Sequence, residues 1–193
     1  MRKNAIFILT LFIIMGIAFA DEPFSPGVGA RAGFNFPFLR FSGYYDPSPV
    51  VGVSAFTSLM PWMRVIGGVD MATGYPPKKP IGGTPYSLDP RLGIRLLAYP
   101  RTQFMPFIEG GGFYTMFSGP TFPYDPDKTP GSGDEYQEGG TYSEAGFYGG
   151  FGFDYLFEET IGIEVCIRFQ VYRHKGYDHM GIVGTGGGNY FFH

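Results

Sequence analysis

The sequence predicts an all-β fold, an eight-stranded antiparallel up-and-down transmembrane β-barrel. Three observations predict it. Apolar residues alternate with small or polar ones, period two, in eight segments. The connections between those segments are long and short in turn. No lysine falls inside any segment.

The chain opens with MRKNAIFILTLFIIMGIAFA. Arg2 and Lys3 make a basic start, residues 5–19 an apolar stretch, and Ala18-Phe19-Ala20 a small-x-small cleavage site. This is the pattern of a secretory signal peptide over residues 1–20. Its apolar stretch of about 15 residues is short of the roughly 20 that a spanning helix needs. Residues 21–193 then form the mature barrel, and losing Arg2 and Lys3 moves the net charge from −3 to −5. An acidic balance argues against nucleic acid as a partner. Cys166 is the single cysteine, so export brings no intramolecular disulfide.

The first segment is GVGARAGFNF at 27–36, followed after a long connection by VVGVSAFTS at 50–58. A tight SLMP turn leads to WMRVIGGVDMA at 62–72. The long TGYPPKKPIGGTPYSLDP precedes RLGIRLLAY at 91–99, and the short PRTQ precedes FMPFIEGGGFYTM at 104–116. The longest connection, 117–142, leads to 143–157; the short EET leads to 160–172; RHKGYDHM leads to GIVGTGGGNYFF at 181–192. A strand tilted about 45° crosses a bilayer in roughly 9–11 residues. Long loops at one rim and tight turns at the other complete the pattern of a transmembrane meander. Clustered Pro and Gly keep the long connections out of regular structure.

Which face is outward follows from charge. Lys78, Lys79, Lys128 and Lys175 all fall in the long connections. One face of the strands (Val65, Leu92, Ile94, Leu96, Phe151, Ile163, Ile167) is almost free of charge. The other carries Arg31, Arg64, Arg91, Arg95 and Arg168 with Asp70, Glu109, Asp154 and Glu164. A lipid-facing Arg or Lys costs about 2–4 kcal/mol at the bilayer midplane, so the charged face points inward. Arg31, Arg64, Arg95, Glu109, Asp154 and Glu164 lie on the strand halves near the short turns, where a salt-bridge network is expected. Trp62, Tyr99, Phe104, Tyr155 and Phe157 lie near the same rim and suit a periplasmic aromatic girdle. Gly110, Gly112, Gly186 and Gly188 share the apolar face, where they predict sharp bending or close approach. An eight-stranded interior is just wide enough for side chains to fill, so no wide channel is expected.

The stretches MPFIEGGGFYTM and GFYGGFGFDYLFEETIGIEVCIRF resemble the small outer-membrane β-barrel superfamily of OmpA-type transmembrane domains, OmpX-type and OmpW-type proteins. They show a Pro-aromatic strand, a Gly-rich strand ending in Asp-Tyr, and a tight turn into an amphipathic strand. The resemblance implies an outer-membrane location in a Gram-negative-type cell, contact with outer-membrane lipids and lipopolysaccharide, and a monomer. It also implies recognition of the C-terminal strand by the barrel-assembly machinery. Here His193 follows Tyr190-Phe191-Phe192, a departure from the family's terminal aromatic residue. No peptidoglycan-binding domain is expected after the barrel.

Two segments hold residue types that can do chemistry. Arg173 to His179 brings His174, His179 and Asp178 together, as a metal or proton-transfer site would. No His-x-Ser pattern accompanies them, and the segment reads as a solvated loop. The longest connection carries Asp125, Asp127, Asp134, Glu135 and Glu138 without the spacing of a calcium loop. Cys166 sits on the interior face as an inert thiol. No catalytic, cofactor or metal residues are assigned. The reading is a structural or surface-interaction barrel, with an extracellular ligand at the long loops. A narrow channel for small or hydrophobic solutes, a lipid A-modifying enzyme and a soluble secreted barrel are the alternatives.

Overall fold

The computed structural model describes residues 26–38, 46–73, 85–99, 102–122, 138–174 and 177–192. The leader 1–20, the acidic stretch 123–137 and the four lysines lie outside the described residues. The described residues form eight strands: β1 (Gly27–Phe38), β2 (Ser48–Met60), β3 (Met63–Thr73), β4 (Tyr86–Leu97), β5 (Phe104–Phe122), β6 (Glu138–Leu156), β7 (Ile161–His174) and β8 (Tyr177–Phe191). Each pairs antiparallel with its sequence neighbour, and β1 closes on β8 from Gly27↔Phe191 to Phe38↔Met180. Closure leaves no sheet edge, so every strand has partners on both sides.

The side chains sort as their alternation requires. On β7, Ile161, Ile163, Val165, Ile167, Phe169 and Val171 are exposed, while Gly162, Glu164, Cys166, Arg168 and Gln170 are buried. At about 3.3 Å per residue and a tilt near 45°, that outward run spans roughly 25 Å, the height of a bilayer's apolar band. The band ends at an outward ion pair, Arg173 Nε to Asp178 Oδ1 at 3.8 Å. At the opposite rim the exposed acids Glu158 and Glu159 sit in the β6–β7 turn. Charge therefore appears on the outer face of β7 only at its ends. This is a transmembrane arrangement, with the polar side inward.

Strands β4 to β8 have boundaries that differ from the sequence reading. β4 starts at Tyr86, so Ser87, Leu88 and Asp89 belong to the strand and not to the preceding loop. Pro90 misled the reading because proline normally marks a strand end. Here it is tolerated within β4, where the β4–β5 ladder skips Asp89 and Pro90 between Leu88↔Met116 and Arg91↔Phe113. β5 and β6 run 19 residues each, into the stretch read as the longest loop. The connection RHKGYDHM is no long loop: β7 continues to His174 and β8 begins at Tyr177, with His174↔Tyr177 paired. The long–short rhythm therefore fails at its last connection, which is as tight as the turns at the other rim.

Candidate functional site

The barrel interior is built in three tiers. At the short-turn end two apolar clusters fill the lumen: Leu97, Met105, Phe107 and Cys166, and Phe56, Ile66 and Phe191, with Leu156 against both. Phe56 and Phe191 meet edge to face at 5.2 Å.

Charged side chains pack against this floor. Arg95 is the hub. Its Nε and Nη2 donate to Glu109 Oε2 at 3.1 and 2.7 Å, and its Nη1 donates to Glu164 Oε2 at 2.7 Å. The same Nη1 lies 3.4 Å from Asp154. The Arg95 guanidinium rests 3.6 Å above the Phe107 ring. Arg64 donates to Asp154 Oδ2 at 2.8 Å and sits over Phe56 and Phe191 at 5.3 and 5.2 Å. Higher up, Asp70 accepts from Arg31 at 2.5–2.8 Å and from Arg168 at 2.7 Å. Arg91 bridges the two halves, 3.6 Å from both Asp70 and Glu109. All these groups are buried. Each lies on an inward position of its strand, so the alternation that builds the lipid face also delivers the charges to the lumen.

The structure thus places Arg31, Arg64, Arg95, Glu109, Asp154, Glu164 and Arg168 in one connected set, with Asp70 and Arg91. The set reaches from the short-turn half to mid-barrel. Sequence reasoning counted five arginines against four acids there. Asp89, buried on β4, is the missing fifth acid. Extending the alternation Asp89-Arg91-Gly93-Arg95 back through Pro90 would have found it.

Inward glycines make the room. A methyl on Gly150 would stand 2.7 Å from Arg168 Cγ and 2.7 Å from the Ile167 carbonyl oxygen. One on Gly187 would run into the Ala30 carbonyl oxygen and stand 2.8 Å from Arg31 Cα. The outward glycines behave otherwise. Around Gly110, Gly112, Gly186 and Gly188 the nearest atoms to an added methyl lie 3.5, 3.7, 3.8 and 3.9 Å away, so the expected close approach is not there. Gly187→Ala should cost about 1–3 kcal/mol of stability, the scale of overpacking, because only backbone could yield. Its neighbour Gly186→Ala should be near neutral. Urea unfolding of the two variants in phospholipid vesicles checks the contrast.

The third tier, at the long-loop end, is aromatic and polar. His174 and His179, expected in a solvated loop, are buried inside the barrel instead. The tight β7–β8 turn keeps both on strands, and both fall on inward positions. His174 Nδ1 is 2.8 Å from Glu144 Oε1, and its ring stacks on Tyr142 at 4.0 Å. His179 stacks on Tyr172 at 5.0 Å, and the Tyr142 and Tyr172 hydroxyls are 3.0 Å apart. The two imidazoles are 6.1 Å apart. Asp178, the third member of the expected group, points outward to Arg173. Tyr142 falls just before the segment 143–157 that the alternation marks, whereas Glu144 and Tyr172 lie inside predicted strands and were missed because their partners lie on other strands.

Of the proposed girdle, Trp62, Tyr99, Phe104 and Phe157 are exposed at the short-turn rim and Tyr155 is half-buried. Tyr155 meets Phe157 edge to face at 5.2 Å. Tyr190 and Phe192, at the end of the chain's last strand, add a like pair at 5.3 Å. Tyr99 takes a left-handed backbone (φ 56°) in the β4–β5 turn, where the Thr102 hydroxyl lies 2.9 Å from its carbonyl oxygen.

No family model matches the chain, and no curated protein does either. Among solved structures, neisserial surface protein A (NspA) superposes with a TM-score of 0.64 at 10% identity, over 86% of this chain and 97% of NspA. OprG, an outer membrane protein of Pseudomonas aeruginosa, superposes with a TM-score of 0.51 at 13% identity, over 88% of this chain and 97% of OprG. This is the fold of the small outer-membrane β-barrels. At such identities the likeness to these barrels is one of fold. The interior charges and the histidine tier have to be read from this chain itself.

Proposed function

We propose that this outer-membrane barrel is a closed, non-conducting membrane anchor whose role is structural and interactive. The observation that carries the reading is the filled lumen. An apolar floor and a layer of mutually paired Arg, Asp and Glu lie across the same half of an eight-stranded barrel. A solute crossing there would have to separate buried ion pairs, which is costly without replacement partners.

The interactive half of the proposal rests on β5 and β6. β4 pairs with β5 only as far as Tyr86↔Ser118, and β7 pairs with β6 only as far as Tyr172↔Gly146. The β5–β6 hairpin continues beyond both, to Phe122↔Glu138. The acidic connection 123–137 joins the ends of this hairpin in sequence and is the proposed place of an extracellular ligand. Residues 1–20 serve as the cleaved leader. Trp62, Tyr99, Phe104, Tyr155 and Phe157 form the periplasmic girdle, lipids and lipopolysaccharide surround the band, and the barrel-assembly machinery engages β8. The chain acts as a monomer and not as an enzyme.

Planar-bilayer recording of the refolded mature protein tests the closed lumen. The expected result is no discrete conductance steps; regular steps would replace this reading with the narrow channel. An epitope inserted within 123–137 should be stained on intact cells, and staining only after permeabilisation would overturn the surface role.

A further inference from the structure

Asp89 stands apart from the other buried acids. Asp70, Glu109, Asp154 and Glu164 each have an arginine nitrogen within 2.8 Å. Asp89 is 8% exposed, and among the described residues no cationic nitrogen lies within 4.0 Å of it. Directly across the β3–β4 register sits another carboxylate, Asp70, whose arginines are turned to it. Ser87 Oγ donates to Asp89 Oδ2 at 3.2 Å, and Oδ1 is buried with no hydrogen-bond partner among the described residues. The Thr115 hydroxyl is a second hydrogen-bonding neighbour of the carboxylate, but no cation among the described residues is in contact with it, which a buried carboxylate calls for.

The same carboxylate lines a cavity of about 30 Å³ at the long-loop end. The Ser87 and Thr115 side chains line it with Asp89, and Phe117, Tyr172 and His179 supply aromatic walls. The gap in the β4–β5 ladder at Asp89 and Pro90 falls at this place. Asp89 is the one carboxylate of the lining, and no group of three His, Cys, Asp or Glu able to hold a metal ion occurs among the described residues. Aromatic side chains around one carboxylate suit an organic cation, held by charge, by hydrogen bonds and by contact with the rings. An –NH₃⁺ head is compact and brings three N–H donors to the carboxylate and hydroxyl oxygens of the lining, which a quaternary ammonium lacks.

We propose that the barrel carries, at its long-loop end, a binding site for a primary ammonium group, with Asp89 as counter-ion and Phe117 and Tyr172 as walls. The site lies above the filled half of the lumen and holds whether or not that half conducts. Among the lining residues Asp89, Tyr172 and His179 are the titratable ones; the Glu144–His174 pair, 2.8 Å apart, is not part of the lining.

The test uses ¹⁵N-labelled mature protein in micelles at about pH 8, where an ordinary histidine is neutral, titrated with n-butylamine hydrochloride and followed by amide shifts. The expected result is a saturable shift centred on β4 and β5 around Asp89 and Thr115. Asp89→Asn should weaken it by about tenfold or more, the effect of losing a charge-assisted contact. Glu158→Gln, an exposed acid at the opposite rim, should leave it unchanged. Absence of saturation, or equal affinity in Asp89→Asn, overturns the proposal. Equal binding of tetramethylammonium or potassium overturns the assignment to a primary ammonium. Should Asp89→Asn fail to fold, the ¹³C shift of the Asp89 carboxyl in the unaltered protein decides: it moves with the amine if the site is real, and stays fixed if it is not.

Discussion

Replacing Arg95 by methionine should destabilise the folded barrel by about 3–5 kcal/mol, the scale of removing one side of a buried ion pair. Arg95 faces three carboxylates, Glu109, Asp154 and Glu164. Arg64 still neutralises Asp154, and Arg91 and Arg168 lie 3.6 and 4.0 Å from Glu109. Glu164 has no second arginine within 4.0 Å among the described residues, so the variant strands it most. The cause is desolvation: a carboxylate held in the lumen without a partner has neither water nor a guanidinium to offset its burial. The double variant Arg95→Met with Glu164→Gln should recover much of the loss, since it removes the stranded charge together with its partner. Urea midpoints in phospholipid vesicles measure all three proteins. A loss within about 0.5 kcal/mol for Arg95→Met, the range of an ordinary surface substitution, would show that water reaches Glu164 and that the lumen is not sealed there.

Ile167→Arg should cost about 2–4 kcal/mol in a bilayer, the penalty for a lipid-facing arginine near the midplane. Ile167 is mid-way along the outward run of β7, with Ile161, Ile163 and Val165 below it and Phe169 and Val171 above. A guanidinium there must reach about half the bilayer's thickness to find water, or drag water in. Glu158→Arg, at the rim, should stay within about 0.5 kcal/mol of the parent. The pair of variants also separates the two ways of wearing this alternation. In a soluble barrel turned inside out, Ile167 would face the core and Gln170 would face water; the observed burial has them the other way round. Near-neutral behaviour of Ile167→Arg in vesicles would mean that this face does not meet lipid.

The local pattern was enough for a good deal of this. A period of two over β7 needs no knowledge of the neighbours. Assigning one face to lipid needs only the location of charge, since a lysine or arginine is expensive in hydrocarbon wherever the strand ends up. The alternation therefore placed Arg31, Arg64, Arg95, Glu109, Asp154, Glu164 and Arg168 in the lumen before any pairing was known. Strand ends were less legible. Pro90 and the polar run from Arg173 to His179 look like loop in isolation, because their support comes from partners on other strands. β5 and β6 outrun their loop estimate for the same reason: each is held there by the other.

Alternation along the chain is thus a property of single strands, and it settled the strand count, the lipid face and the identity of most luminal charges. Which charge meets which is a matter of register and closure. Arg64 reaches Asp154 across 90 positions of sequence, and Arg168 reaches Asp70 across 98. No local signal encodes such distances; they follow from β1 closing on β8 and from the tilt that brings non-adjacent strands to face one another across the lumen. The same closure buries His174 and His179 among Tyr142 and Tyr172, and leaves Asp89 facing a small cavity in place of an arginine.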